Sequence, residues 1–408
     1  MTRQRYFFLI LILGSLTAIG PFSIDMYLPG FPAIAHSLHT SVEQVALSLS
    51  GFFIGISAGQ LLYGPLLDRY GRKKPLYAGL AVYILASVGC FAVTSIEQLI
   101  VLRCIQAIGS CAAGVAAMAM VRDIFPVKDN ARVFALLILV LGVSPMIAPT
   151  VGGFVTAHWG WQIIFIILAV IATLILLAVI FFLPESYQPD PSFSLKPAPI
   201  IRNFISVLTV PRFYTYALCG AVAFSGLFAY LSTSPMVFMN VYKVSPQVYG
   251  WIFALLSVGF IGASQLNNLL MKRYKSEQVV KVTLICMSAF SLVFVIAATG
   301  NQLGIVGTIV MIFAILCCIG IANPNTSALS LAPFERNAGT AAALLGAFQM
   351  TIGTVASVIV SFFKVQSAVP MAAIMAVTSF AALIILFAGG SRIRNKVEAG
   401  STAQGVVH

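Results

Sequence analysis

Apolar stretches of about 20 residues recur from one end of this chain to the other, and no other feature limits its fold as strongly. A helix rising 1.5 Å per residue needs roughly that length to cross a hydrocarbon core of about 30 Å, whereas a membrane barrel would show shorter segments of alternating polarity. Twelve spans are predicted, near Tyr6–Tyr27, Val42–Leu62, Leu76–Thr94, Leu99–Val121, Val133–Val155, Trp161–Leu183, Phe213–Met236, Val248–Leu270, Val279–Ala298, Leu303–Asn323, Gly339–Phe363 and Val369–Ala388. Composition agrees: 60% of the 408 residues are hydrophobic and 8% charged, against about half and about a quarter in soluble domains.

The stretch from Pro184 to Pro211, which includes "PESYQPDPSFSLKPAP", has too little apolar surface to pack and too much proline to be helical throughout, so it reads as a linker. Two halves of six spans about such a linker suit a transporter built from repeated helix bundles. The expected fold is therefore an all-α membrane protein with twelve transmembrane helices: one bundle over residues 1–183, a linker over 184–211, a second bundle over 212–390 and a tail over 391–408.

Charge sets the orientation. Of the 23 basic residues, only Lys243 and Lys364 fall on the predicted outer side and only Arg103 inside a span, as the positive-inside rule requires of a chain with both termini in the cytoplasm. The net charge of +12 thus reports topology and contact with anionic lipid, and no nucleic-acid partner is expected. A cleaved signal peptide is disfavoured despite Arg3, Arg5 and "AIA" at 33–35, because the first run is long and Asp25, Pro29 and Pro32 intervene. The seven cysteines, Cys90, Cys104, Cys111, Cys219, Cys286, Cys317 and Cys318, all lie within spans and read as small apolar packing residues, with no metal set and no cofactor expected. "GISAG", Gly55 to Gly59, matches a serine-hydrolase elbow, but Ser57 lies mid-helix and His36, His39, His158 and His408 all fall in loops or the tail, so no enzyme is expected. Gly51, Gly55 and Gly59 instead form a small-residue stripe at a spacing of four.

Between the second and third spans lies "GPLLDRYGRKKPL", Gly64 to Leu76. Gly71 permits a sharp turn, the basic cluster holds the loop in the cytoplasm, and Asp68 can pair with Arg72 or face a helix N-terminus. This stretch resembles the signature loop of major facilitator superfamily transporters. "LRCIQAIG", Leu102 to Gly109, resembles the family's fourth-helix motif with its buried arginine, "VRDIF", Val121 to Phe125, the acidic partner site, and "LGVSPMIAPTVGG", Leu141 to Gly153, the fifth-helix antiporter motif, although Ala148 stands where many members have glycine. "DMYLPGFP", Asp25 to Pro32, and "SPMVFMNVYKVSPQVYG", Ser234 to Gly250, resemble the bicyclomycin and chloramphenicol resistance subfamily of drug:proton antiporters.

The resemblance implies that Asp68, Arg72 and Asp123 form a cytoplasmic charge latch, with Gly64, Arg69 and Gly71 completing the motif; the other reading is a solvated loop that only sets topology. The matching loop of the second half, "LMKRYKSEQ", lacks the glycine and the aspartate, so the latch is expected on one side only. On the fifth span, Gly142, Pro145, Pro149, Gly152 and Gly153 suit a seal against proton leak, or equally ordinary close packing.

Asp25 is a carboxylate at the far end of the first span. On insertion scales such a group costs at least about 2.5 to 3.5 kcal/mol, so it turns toward a cavity or a partner. Burial penalises its charged form and a nearby cation favours it, and those opposed effects make it switchable. Asp25 is expected to carry the proton, with Arg103 as partner or relay and Gln106 one turn further on; the alternatives are an interfacial Asp25 and an Arg103 that only braces helices. Tyr27, Tyr230, Asn323, Asn325 and Gln349 are candidates for the substrate cavity, or for interhelical hydrogen bonds.

The expected function is proton-driven export of small, largely apolar compounds, foremost antibiotics, across a bacterial cytoplasmic membrane. Substrate, protons and membrane lipid are the expected partners of a monomer. The alternatives are export of an endogenous amino acid, sugar or nucleoside, and a facilitator without ion coupling.

Overall fold

The computed structural model describes residues 3–125, 127–189, 197–300, 303–334, 338–363 and 367–404, and before Val143 only some side chains of the sixth helix are described. Among them the chain is all helix. In order come α1 (Arg3–Asp25), a 3₁₀ turn (Leu28–Gly30), α2 (Phe31–Ser37), α3 (Val42–Tyr70), α4 (Lys73–Phe91), α5 (Ile96–Ile124), α6 (Val127–Trp159) and α7 (Gln162–Phe182). There follow α8 (Pro197–Leu208), α9 (Pro211–Pro235) running on into a π-helical turn (Met236–Val241), α10 (Pro246–Leu270), α11 (Ser276–Thr299), α12 (Ile305–Leu331), α13 (Ala338–Ser361) and α14 (Val369–Gln404). Eleven helices are long and apolar enough to cross a membrane among the described residues, and α6, with 33 residues, stands between the fourth and fifth of them.

Helical structure follows from the solvent: lipid offers backbone groups no partner, so each spanning segment must satisfy its own. The boundaries follow from local chemistry. Ser41 and Ser95 accept the backbone N–H of Gln44 and Gln98, at 3.3 and 3.4 Å, and so cap α3 and α5. α3 ends where Gly71 turns to φ +83°, a left-handed conformation that favours glycine.

Two expectations are corrected. α3 passes through Gly64, Asp68 and Arg69 to Tyr70, so these three lie on a helix and the loop shrinks to Gly71 and Arg72. Pro65 removes only one intrahelical bond, to Leu61, and does not stop the helix. The segment after Pro184 also packs. Pro197 and Pro199 sit in the first turn of α8, where a missing N–H costs least, and buried Val207 joins Phe213, Ala217, Ala341, Leu344 and Leu345 in one cluster.

The chain divides into two compact units, one of Met1–Leu195, Leu231–Val258 and Ser357–Ser367, the other of Lys196–Tyr230, Gly259–Ala356 and Ala368–His408. In the first, α5 is the hub. The glycine stripe of α3 lies against it: a Cβ on Gly55 would strike the Cys104 carbonyl and stand 2.7 Å from Ala107 Cβ, and one on Gly59 would stand 2.6 Å from Cys111 Cβ. On α5's other side, a Cβ on Gly109 would come within 2.6 Å of the Gly79 carbonyl of α4. Close approach of backbones is how helices associate in lipid, where burying apolar surface brings no gain.

Gly55→Leu should therefore lower stability by about 1 to 3 kcal/mol through overpacking, whereas Gly64→Ala, whose new methyl would meet nothing within 4 Å, should raise it by about 0.4 to 1 kcal/mol. Thermal unfolding of the purified protein in detergent checks both signs.

Candidate functional site

The polar groups of the first unit gather in two places. One is the middle of the helices around Arg103, which is fully buried. α5 presents Arg103 and Gln106 one turn apart, and Arg103 Nη1 donates to Gln106 Oε1 at 2.6 Å while Nη2 donates to the Ser23 carbonyl of α1 at 2.9 Å. Gln106 Nε2 donates to Ser87 Oγ of α4 at 2.7 Å. Ser23 Oγ gives its hydrogen to the Ile19 carbonyl at 2.6 Å and so accepts from Tyr83 OH at 2.6 Å. The guanidinium also lies 4.2 Å from the Phe52 ring centroid, 4.5 Å from Tyr27 and 5.8 Å from Phe165, the range in which aromatic faces attract cations. Tyr27 OH in turn donates to Ser48 Oγ at 2.7 Å, since Ser48 gives its own hydrogen to the Val45 carbonyl.

Every partner of Arg103 is neutral. Three ion pairs occur among the described residues, and none joins Arg103 to Asp25. Asp25, two residues beyond Ser23, is 4% exposed and ends α1. Instead of contacting the acid directly, Arg103 grips the α1 backbone just before it, and Arg103 Nε has no acceptor among the described residues.

The second gathering is at the junction of α3 and α4. Arg72 donates through Nη1 to Asp68 Oδ1 at 2.9 Å and through Nε to Asp123 Oδ2 at 2.8 Å, so the motif residues of α3, α4 and α5 do meet. Burial works against the Arg72 charge, but the hydrogen bonds to Asp123 and Asp68 outweigh it and hold the guanidinium above its ordinary value. Gly64 and Arg69 take no part in these pairs.

Sequence reasoning missed the third side of this cluster. Glu185, 113 residues further along the chain, accepts the Arg72 N–H at 2.8 Å and the Lys73 N–H at 3.1 Å, placing a carboxylate on the otherwise uncapped N-terminus of α4. Ser186 Oγ donates to Asp123 Oδ2 at 3.1 Å, and the Tyr187 ring lies 4.1 Å from the Arg72 guanidinium carbon. Gly71 is pressed against the same carboxylate, since a Cβ there would stand 3.2 Å from Glu185 Oε2.

At the Asp25 end of the first unit, α6 packs tightly. A Cβ on Gly152 would strike the Met26 carbonyl, one on Gly153 would stand 2.6 Å from the Pro246 carbonyl, and one on Gly250 would stand 3.1 Å from the Pro149 carbonyl. Gly142 and Pro145 lie inside the same helix. Ser50, Ser357 and Ser232 form a buried chain of hydroxyls, at 2.7 and 2.6 Å. In the second unit the amides pair with one another: Asn325 Nδ2 donates to Asn267 Oδ1 at 2.7 Å, and Gln349 Nε2 to Asn323 Oδ1 at 2.8 Å. Tyr230 is buried in α9. Asn267 was not foreseen, because one amide near the end of an apolar run carries no distinguishing signal.

Glu185→Gln should loosen the linker while leaving α4 in place, so limited chymotrypsin digestion should cut after Tyr187 several-fold faster; Arg72→Lys, which loses the planar fork, should do the same.

A model of the Major Facilitator Superfamily matches residues 13–361. The chain is 31% identical over 382 residues to an uncharacterized MFS-type transporter, YdgK, of Bacillus subtilis, covering 93% of this chain and 94% of the relative. It is 31% identical over 285 residues to the bicyclomycin resistance protein homolog of Haemophilus influenzae, covering 70% and 72%. In fold it matches the crystal structure of a D-xylose-proton symporter with a TM-score of 0.73, at 15% identity and covering 93% of this chain and 97% of that one.

Proposed function

The chain belongs to the major facilitator superfamily, and on that premise we propose that it is a proton-coupled exporter of small, largely apolar compounds such as chloramphenicol-like and bicyclomycin-like drugs. It is a multi-pass membrane transporter of small molecules and not an enzyme. Drug export is supported by the relative named for bicyclomycin resistance.

The observation that carries the coupling is the burial, in one unit, of an acid and a base that do not pair. Asp25 is 4% exposed and Arg103 fully buried, and no ion pair joins them among the described residues. A lone buried carboxylate is driven to bind a proton, and a change in its charge is felt by the α1 backbone that Arg103 grips through the Ser23 carbonyl. Asp25 takes its proton from the outside and gives it up inward. The free Arg103 Nε is a donor for a carbonyl, hydroxyl or nitro oxygen of the substrate, and protonation of Asp25 and occupation of the cavity exclude one another. Tyr27 and Gln106 supply the remaining polar contacts of the first unit.

Residues 1–183 and 212–390 are the two bundles that rock during alternating access, with the linker, the 391–408 tail and both termini in the cytoplasm. The Asp68–Arg72–Asp123 cluster is the cytoplasmic latch, and Gly152 and Gly153 belong to the seal at the opposite end. The protein works as a monomer, its basic loops held against anionic lipid.

The test uses inverted vesicles energised to an acid interior. Adding chloramphenicol should release protons from the lumen, and Asp25→Asn should abolish that release while the protein stays expressed and folded. Drug-driven release retained by Asp25→Asn would overturn the coupling role, and release seen only with an amino acid, sugar or nucleoside would give the substrate class to metabolites.

A further inference from the structure

A cavity of the first unit lies on the flank of the helices, beside the Arg103 network. It has a volume of about 720 Å³ and is walled by α1, α6 and α7, with Tyr83 of α4 at its inner end. Along α1 it runs from Tyr6 to Phe22, 16 residues apart, a helix length of about 24 Å. Its rim is open: Phe7 is 65% and Leu174 62% exposed, and in a chain that spans a membrane such surfaces face lipid. Its floor is closed, with Leu137 and Leu168 buried.

The deep end of the groove touches the polar network. Tyr83, almost fully buried, donates its hydroxyl hydrogen to Ser23 Oγ, and the Ser23 carbonyl receives Arg103 Nη2. Two residues of α1 and α4 therefore separate a cavity open to the bilayer from a cation buried in the bundle. Phe22, on the groove wall, lies one turn before Asp25 on the same helix.

We propose that this groove is an entry site at which an uncharged, largely apolar solute dissolved in the bilayer binds before it reaches the Arg103 network. The volume falls within the roughly 300 to 1,000 Å³ typical of small-molecule sites. The lining favours a solute over a phospholipid: among the described residues it carries no charged side chain, and its polar side chains are Tyr6, Ser15 and Tyr83. Ser15 spends its hydrogen within α1, on the Leu11 carbonyl at 2.8 Å. A phosphate would find no counter-ion there, whereas a molecule with one or two neutral polar groups finds a tyrosine hydroxyl at the inner end. Partitioning into the bilayer concentrates such a solute at the rim before it binds. The identification of the solute with the exported compound rests on the export reading above; the site itself does not.

The test is photolabelling of the full-length protein in membrane vesicles with an uncharged aryl diazirine. Labelling of the peptides around Ser15, Val140 and Ile171 should saturate with probe concentration, while labelling at Val306 and Val377, on other lipid-facing surfaces, should rise linearly. Ser15→Phe and Ala18→Phe fill the groove at no cost to any interhelical hydrogen bond, and each should cut the saturable labelling several-fold and raise the chloramphenicol concentration for half-maximal efflux. Linear labelling throughout, or saturable labelling untouched by either variant, would overturn the proposal. So would a phospholipid that co-purifies in the groove and excludes the probe. Saturable labelling without chloramphenicol-driven proton movement would uphold the entry site and sink only the export reading.

Discussion

Arg103 has to be solvated by protein, because it is fully buried and lipid can do nothing for it. That requirement accounts for much of the first unit. Two hydrogen bonds and three aromatic faces replace water around the guanidinium, and each provider with a polar side chain is fixed by a further contact: Gln106 by Ser87, Tyr27 by Ser48, and Ser23 by Tyr83 and its own helix. These providers and the groups that fix them come from α1 and the turn after it, α3, α4, α5 and α7, so one charge bears on the mutual register of five helices. A carboxylate would have neutralised the charge more simply, yet among the described residues no ion pair includes Arg103.

The same helices are pressed together where they carry no polar atoms. Gly51, Gly55 and Gly59 let α3 meet the backbone of α5, and Gly79 and Gly109 let α4 meet it from the other side. Hydrogen bonds in the middle of the unit and glycine contacts along its length therefore act on the same three helices. The Arg72 cluster then ties their ends together, since Asp68 belongs to α3, Asp123 to α5 and Arg72 to the start of α4.

What could be read from the sequence was whatever is written locally. Twelve apolar runs of the right length predict twelve helices, a glycine every fourth residue predicts a close helix contact, and an aspartate four residues before an arginine predicts the Asp68–Arg72 pair. Three things were not legible, each for a physical reason. Glu185 meets Arg72 across 113 residues, and spacing holds no record of so distant a contact. Arg103 reads as a partner or relay of Asp25, or as a brace between helices, and spacing holds no sign that Arg103 Nη2 meets the Ser23 carbonyl, with no ion pair to Asp25 among the described residues. The groove is a negative feature, formed where α1, α6 and α7 diverge, and apolar residues that line a cavity look the same in sequence as those that fill a core.

α1 and α5 together connect all of these features. α5 carries Arg103 in its interior and Asp123 in its last turn, 20 residues on, a separation of about 30 Å along a helix. α1 carries the Ser23 carbonyl, Asp25 and one wall of the groove. α1 is joined to α5 through the Ser23 carbonyl and Arg103. α5 in turn cannot shift without α3 and α4, because its backbone carbonyls lie against their glycines and its end is ionically tied to Arg72. The middle of the unit and its charged end are thus joined through the same three helices, α3, α4 and α5, by backbone contacts as well as by side chains.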